Sequence, residues 1–150
     1  LFVSQPLSRR PVSQYSLVKE ICEFPLIQQF KNITVRPHPK ENWESKYLKI
    51  AKNYKNLPIK IDRSSDIYEL INKSGLIIGI NSIILFECAI SGKVVISYQP
   101  HIKAVKDDAF INNKLGLSYN GYSRSDFYGL LLRYVKGTLK PLSSWCFRHS

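Results

Sequence analysis

Short β-rich runs alternate with helical patterns along this chain, and that alternation restricts the folds open to it. The runs Leu1–Ser4, Ile33–Arg36, Ile59–Asp62, Leu76–Ile80, Val94–Tyr98 and Leu115–Tyr119 read as strands. Between and after them, Val12–Phe24, Asn42–Tyr54, Ile67–Lys73, Ile83–Ser91 and Asp126–Lys136 carry helical spacing, with a weaker helical patch at Ala104–Ile111. Strand-helix alternation implies a parallel sheet whose crossovers lay helices on both faces. "LIIGI" from Leu76 and "VVISY" from Val94 are continuous apolar runs, as strands buried on both faces must be. The expectation is one α/β, Rossmann-like domain over residues 1–150, with a mostly parallel six-stranded sheet.

Local punctuation agrees. Asp66 and Glu69 have the spacing of a capping box. Gly75 and Gly92 follow two of the helical patterns, as C-terminal caps do. Phe127, Leu130, Leu131, Tyr134 and Val135 form an apolar stripe closed by Gly137. Pro25 ends the first helix, and "PLIQQFKN" after it fits no single element. The tail "KPLSSWCFRHS" shows no such pattern.

In parallel sheets of this kind, ligands bind beyond the carboxyl ends of the strands, where the strand order reverses. The segments there are "SQP" from Ser4, "PHP" from Pro37, "RSSD" from Arg63, "GINS" from Gly79 and "QPH" from Gln99. In "GINS", Asn81 and Ser82 open a helix whose unpaired amides and positive dipole end suit a phosphate. Gly79 admits close backbone approach. Cap chemistry alone also accounts for Asn81 and Ser82. Glu87 is a lone acid in an apolar helix and needs a polar partner or a water-facing edge.

In "VRPHPKE", Pro37 and Pro39 fix the backbone on either side of His38. A turn histidine is one reading. The other is a stiffly held contact to a phosphate, in which a protonated imidazole neutralises charge or acts as an acid. His101 follows a strand and lies within reach of the same crevice; His149 is terminal.

The formal net charge is +11, with 22 Lys and Arg against 11 Asp and Glu, which favours an anionic partner. Part of the basic excess has a plain origin. Trp43, Tyr47, Ile50, Ala51 and Tyr54 form an apolar stripe, which leaves Lys46, Lys49, Lys52 and Lys55 on a solvated face. Cys22, Cys88 and Cys146 lack metal-ligand spacing and read as buried reduced thiols in a cytoplasmic protein. No apolar run is long enough to span a bilayer, although the basic face suits peripheral association with anionic membrane. The opening "LFVSQP" reads as a strand, and with no Met in the sequence a missing upstream segment is expected. Walker A, GxGxxG, GxSxG and zinc-site patterns are missing from the sequence, as are RNA-recognition and helix-turn-helix patterns, so no specific nucleic-acid partner is expected.

With "VRPHPKE" followed by "INSIILFECAISGKVVIS", the chain resembles the C-terminal, donor-nucleotide-binding half of GT-B glycosyltransferases. The likeness is to bacterial enzymes of surface-polysaccharide synthesis, including the sialyltransferase and polysialyltransferase group, and covers about Leu1 to Pro100. It implies strand order 3-2-1-4-5-6 and a nucleotide-sugar donor of the CMP or UDP type, with no metal or other cofactor. His38 would contact or protonate the donor phosphate. Ser4, Gln5, Arg36, Asn81 and Ser82 would line the phosphate site, and Glu87 would hold the ribose. The general base lies in the N-terminal half of such enzymes, so this chain alone would be inactive. Competing readings are a nucleotide-sugar 2-epimerase-like or glycerophosphotransferase-like fragment, with Asp62 and Asp66 as extra carboxylates, and a non-catalytic module binding anions or a protein partner.

Overall fold

The computed structural model describes residues 1–5, 14–41 and 46–143. Six strands form one sheet: β1 (Phe2–Val3), β2 (Ile33–Arg36), β3 (Ile59–Ile61), β4 (Leu76–Gly79), β5 (Val94–Tyr98) and β6 (Tyr119–Gly121). Every pairing is parallel and the order is β3-β2-β1-β4-β5-β6. The expected α/β, Rossmann-like architecture and its strand order are therefore present. The connecting helices are α1 (Gln14–Cys22), α2 (Lys46–Asn53), α3 (Ile67–Lys73), α4 (Ile83–Ile90), the short α5 (Ile111–Lys114) and α6 (Arg124–Val135).

Side chains alternate across a strand, so each buried strand feeds two cores. Leu76, Ile78, Val94, Ile96 and Tyr98 face one side with Phe2 and Val35, where α1, α2 and α6 supply Leu17, Val18, Ile50, Phe127 and Leu131. Val3, Ile77 and Val95 face the other, against Ile71 of α3 and Leu85, Cys88 and Ala89 of α4. Phe127 is fully buried and stacks on Tyr98 with ring centroids 4.2 Å apart. Burying a side chain of that size contributes roughly 1.5–3 kcal/mol, so α6 is held by its apolar stripe rather than by helix propensity. Tyr47 and Ile50 of α2 are buried while Lys46, Lys49, Lys52 and Lys55 are exposed, which makes those lysines a solvated face.

Some boundaries differ from the sequence reading. Leu115 is not in a strand. It caps the carboxyl end of α5 and is 59% exposed, and Gly116 follows at φ +66°. That left-handed turn ends α5 and delays β6 to Tyr119. The patch at Ala104–Ile111 is a single 3-10 turn, Val105–Asp107, followed by the start of α5. "PLIQQFKN" holds a 3-10 turn at Ile27–Gln29. Val12, Trp43, Cys146 and His149 lie outside the described residues. Cys22 and Cys88 are buried free thiols, pushed by burial up to about 11 and about 12, so neither supplies a thiolate near neutral pH. Among the described residues no helix is long and apolar enough to cross a membrane.

Candidate functional site

The strand order reverses between β1 and β4, and the residues just beyond those two strands meet. Gln5 Nε2 donates to Asn81 Oδ1 at 2.6 Å, and the Asn81 amide donates back to Gln5 Oε1 at 3.3 Å. Gln14, the first residue of α1, holds Gln5 in place: its Oε1 accepts from the Gln5 amide at 2.8 Å and its Nε2 donates to the Gln5 carbonyl. The same Nε2 reaches Glu41 Oε1 at 3.4 Å.

Glu41 is the hub of this cluster. Ser4 Oγ donates to its Oε2 at 2.5 Å, the His38 amide donates to the same oxygen at 2.8 Å, and Tyr47 Oη donates to Oε1 at 3.5 Å. Ser4 and Tyr47 are themselves buried and lie 2.9 Å apart, oxygen to oxygen. Burial, together with the Glu41 charge, pushes the Tyr47 phenol up to about 12, although its bond with Ser4 acts the other way. One half-buried carboxylate thus ties the end of β1, the loop after β2, the start of α1 and a side chain of α2.

The loop after β2 is a closed turn. The Glu41 amide donates to the His38 carbonyl at 2.9 Å, and the Lys40 amide donates to His38 Nδ1 at 3.1 Å. Arg63 Nη2 donates to the Pro39 carbonyl at 3.2 Å from beyond β3. His38 is half-buried.

Of the sequence-predicted residues, Ser4, Gln5, His38 and Asn81 are joined by this one network, and Ser82 is next to Asn81. Ser82 caps α4, its Oγ accepting from the Ile84 amide at 3.3 Å. Arg36 points elsewhere: its guanidinium donates to the Ser65 carbonyl and lies 3.8 Å from Asp62. Asp62 is buried and bonded by the Ser65 amide and hydroxyl and by Lys60, which hold its carboxyl well below the usual range despite its burial. Asp66 caps α3 through the Tyr68 and Glu69 amides. Glu87 accepts from Tyr68 Oη at 3.0 Å, between α4 and α3. Glu41 and Gln14 were not singled out in the sequence. Glu41 carries one local signal, its place three residues after a histidine clamped by prolines.

A second polar cluster closes the ends of β5 and β6. Asp108 is buried and accepts from Gln99 Nε2, the Phe110 amide, Asn113 Nδ2 and Tyr122 Oη, at 2.5 to 3.1 Å. Burial pushes its carboxyl up, but these donors outweigh it and the net shift is downward. Ser97, fully buried, accepts from Gln99 and Asn113 and donates to the Ile80 carbonyl at 2.5 Å. This cluster thereby braces the backbone just before Asn81. His101 is half-buried beyond β5.

A cavity of about 610 Å³ lies largely at the other end of the sheet, lined by Leu1, Ile33, Ser74, Gly75 and Leu76 and reaching Asp62 and Ser65. Helices antiparallel to the strands turn their negative dipole ends toward that side, although Lys31, Lys60 and Lys73 also line the cavity.

Comparison with protein families, curated proteins and solved structures finds no match. The functional reading therefore rests on the geometry just described and on the resemblance carried by the segments around His38 and Ser82.

Proposed function

We propose that this chain binds the donor nucleotide-sugar of a glycosyltransferase, of the CMP or UDP type, at the carboxyl ends of β1, β2 and β4. The observation that carries the reading is the network from His38 through Glu41, Gln14 and Gln5 to Asn81, laid across the point where the strand order reverses. Such a point is where sheets of this class receive nucleotides. The start of α4 supplies amides and a positive dipole end there, and the reading assigns the His38 ring as a further donor. The net charge of +11 draws an anion toward the site without selecting it.

In this reading the chain holds the donor, and a partner domain brings the acceptor and the general base. The reaction has no metal step. The ribose contact is assigned to Glu87, which would exchange its bond with Tyr68 for one to the sugar.

Calorimetric titration with CMP, CDP, UDP and inorganic phosphate tests the assignment. A cytidine or uridine nucleotide should bind more tightly than phosphate, and affinity should fall with salt, since exposed charges are screened beyond about 8–10 Å near physiological ionic strength. Equal affinity for all four ligands would replace this reading with that of a non-catalytic anion-binding module. Sedimentation with anionic vesicles tests whether the basic surface also rests on membrane.

A further inference from the structure

We propose that Glu41 is the positioning residue for His38, and that the loop presents the imidazole to its ligand as a neutral donor through Nε2. The ligand, a phosphate oxygen, is taken from the function proposed above; the state of the ring is argued from the loop alone.

Pro37 and Pro39 narrow the backbone on both sides of His38, but they do not fix where the loop sits on the domain. Glu41 does that. Its amide closes the turn onto the His38 carbonyl, and its carboxylate takes the His38 amide at 2.8 Å. The other bonds of that carboxylate go to Ser4, Gln14 and Tyr47, on three separate elements. Loop and core are thus joined at one side chain.

The second half of the argument concerns the ring. Nδ1 lies 3.1 Å from the Lys40 amide and is placed to accept from it, which engages its lone pair. An imidazole in that state has its single proton on Nε2 and no charge. Protonating Nδ1 would turn an acceptor into a donor facing another donor. Among the described residues the charged side chains of this loop are Lys40 and Glu41, with Arg63 fastened to the Pro39 carbonyl from the segment after β3. The geometry therefore fixes one N–H, on the nitrogen remote from the backbone, as what His38 has to offer. A glutamine at this position places its amide nitrogen near Nε2, whereas an asparagine reaches only to Nδ1.

Long-range proton–nitrogen correlation spectra of the ¹⁵N-labelled chain at pH 7.5 read the ring directly, with His38 assigned by the signals lost in His38→Gln. The expected result is a protonated Nε2 and an unprotonated Nδ1, before and after addition of CMP or inorganic phosphate. His38→Gln should hold CMP within about threefold of the original affinity, and His38→Asn should lose about tenfold. Glu41→Ala should shift the His38 ring signals toward a mixture of tautomers and weaken CMP about tenfold, with the circular dichroism unchanged. If that variant fails to fold, Glu41→Gln, which keeps an oxygen for the His38 amide, should give ring signals between the two. A doubly protonated ring, a proton on Nδ1, or ring signals and CMP affinity indifferent to Glu41 would overturn the proposal. A chain that binds neither CMP nor phosphate would remove the donor-binding reading, while the spectra would still decide the state of the ring.

Discussion

Glu41 and Asp108 each gather four donors at the carboxyl end of the sheet, yet Asp108 is 5% exposed and Glu41 is half-buried. The Asp108 bonds run from 2.5 to 3.1 Å and join β5 and the segments flanking β6. Two of the Glu41 bonds, at 3.4 and 3.5 Å, are long, and one of its short bonds holds a loop rather than a core element. A closed cluster of short bonds makes a structural clasp. The Glu41 cluster, with two long bonds on one side and a histidine loop on the other, is the less tightly closed of the two. The two are not independent, because Ser97 in the closed cluster holds the Ile80 carbonyl next to Asn81 in the open one.

The largest effect should come from emptying the closed cluster. Asp108→Ala takes this acceptor from the Phe110 amide and the Tyr122 hydroxyl, and leaves Gln99 and Asn113 with only their bonds to Ser97; the loss should be about 3–5 kcal/mol in urea unfolding. Should Glu41→Ala prove as damaging, the distinction between clasp and open site would fail. The expectation for Glu41→Ala is a loss of about 1–2 kcal/mol in stability, with the larger consequence in ligand affinity.

Next in size is the loss of the histidine donor. His38→Ala should weaken CMP by about five- to tenfold, the range of a single neutral hydrogen bond, and leave the urea midpoint nearly unchanged. Ser82→Ala should cost less affinity, because the backbone amides of α4 remain. An effect of Ser82→Ala larger than that of His38→Ala would move the centre of the site from the loop to the helix.

Titration gives a third handle. The carboxyls of Asp108 and Asp62 lie below their ordinary value of 3.8 in the folded chain. Folding therefore favours their ionised forms, and their contribution is whole above about pH 4 and lost as the pH falls below it. Tyr122 and Tyr47 are raised from 10 to about 12, chiefly by burial, so folding favours their neutral forms. That contribution is whole below pH 10 and lost as the pH rises toward 12. Urea midpoints measured from pH 3 to 12 should fall at both ends, and Asp108→Asn should flatten the acid limb. An acid limb unchanged in that variant would mean that Asp108 does not carry it.

The smallest effect is expected at Glu87. Its bond to Tyr68 is exposed, and Glu87→Ala should leave the urea midpoint nearly unchanged. If Glu87 holds the ribose, cytidine binding should weaken along with CMP binding. Weakened CMP binding with cytidine unaffected would remove that assignment.

The sheet could be read from the sequence because its signals are local. Short continuous apolar runs bounded by turn residues suit strands buried on both faces, and β4 and β5 are such runs. β6 was displaced because Leu115 and Leu117 look like strand residues until Gly116 is known to adopt a positive φ. The site was legible only at its punctuation. Prolines marked His38, and a strand running into a helix marked Asn81. Glu41 has only a weaker mark, its place three residues after that histidine, since a lone acid in a basic turn resembles any solvated residue. Its role comes from Ser4 and Gln14, 37 and 27 residues distant in the chain, which the fold alone brings to it.

The place of β1 has a consequence for how the chain comes to be folded. β1, β2 and β3 belong to the first 61 residues, and β4, β5 and β6 to a separate later stretch, so each set can assemble from its own neighbours. The two are sewn together at one seam, the pairing of Phe2 with Ile78. During synthesis the earlier set waits, with the outer side of β1 unpaired, until Ile78 has emerged. An unpaired apolar edge of that kind is a template for a neighbouring nascent chain, and contacts so far apart in sequence form slowly. The crevice between β1 and β4 thus takes shape only when two stretches more than 70 residues apart in the chain have met.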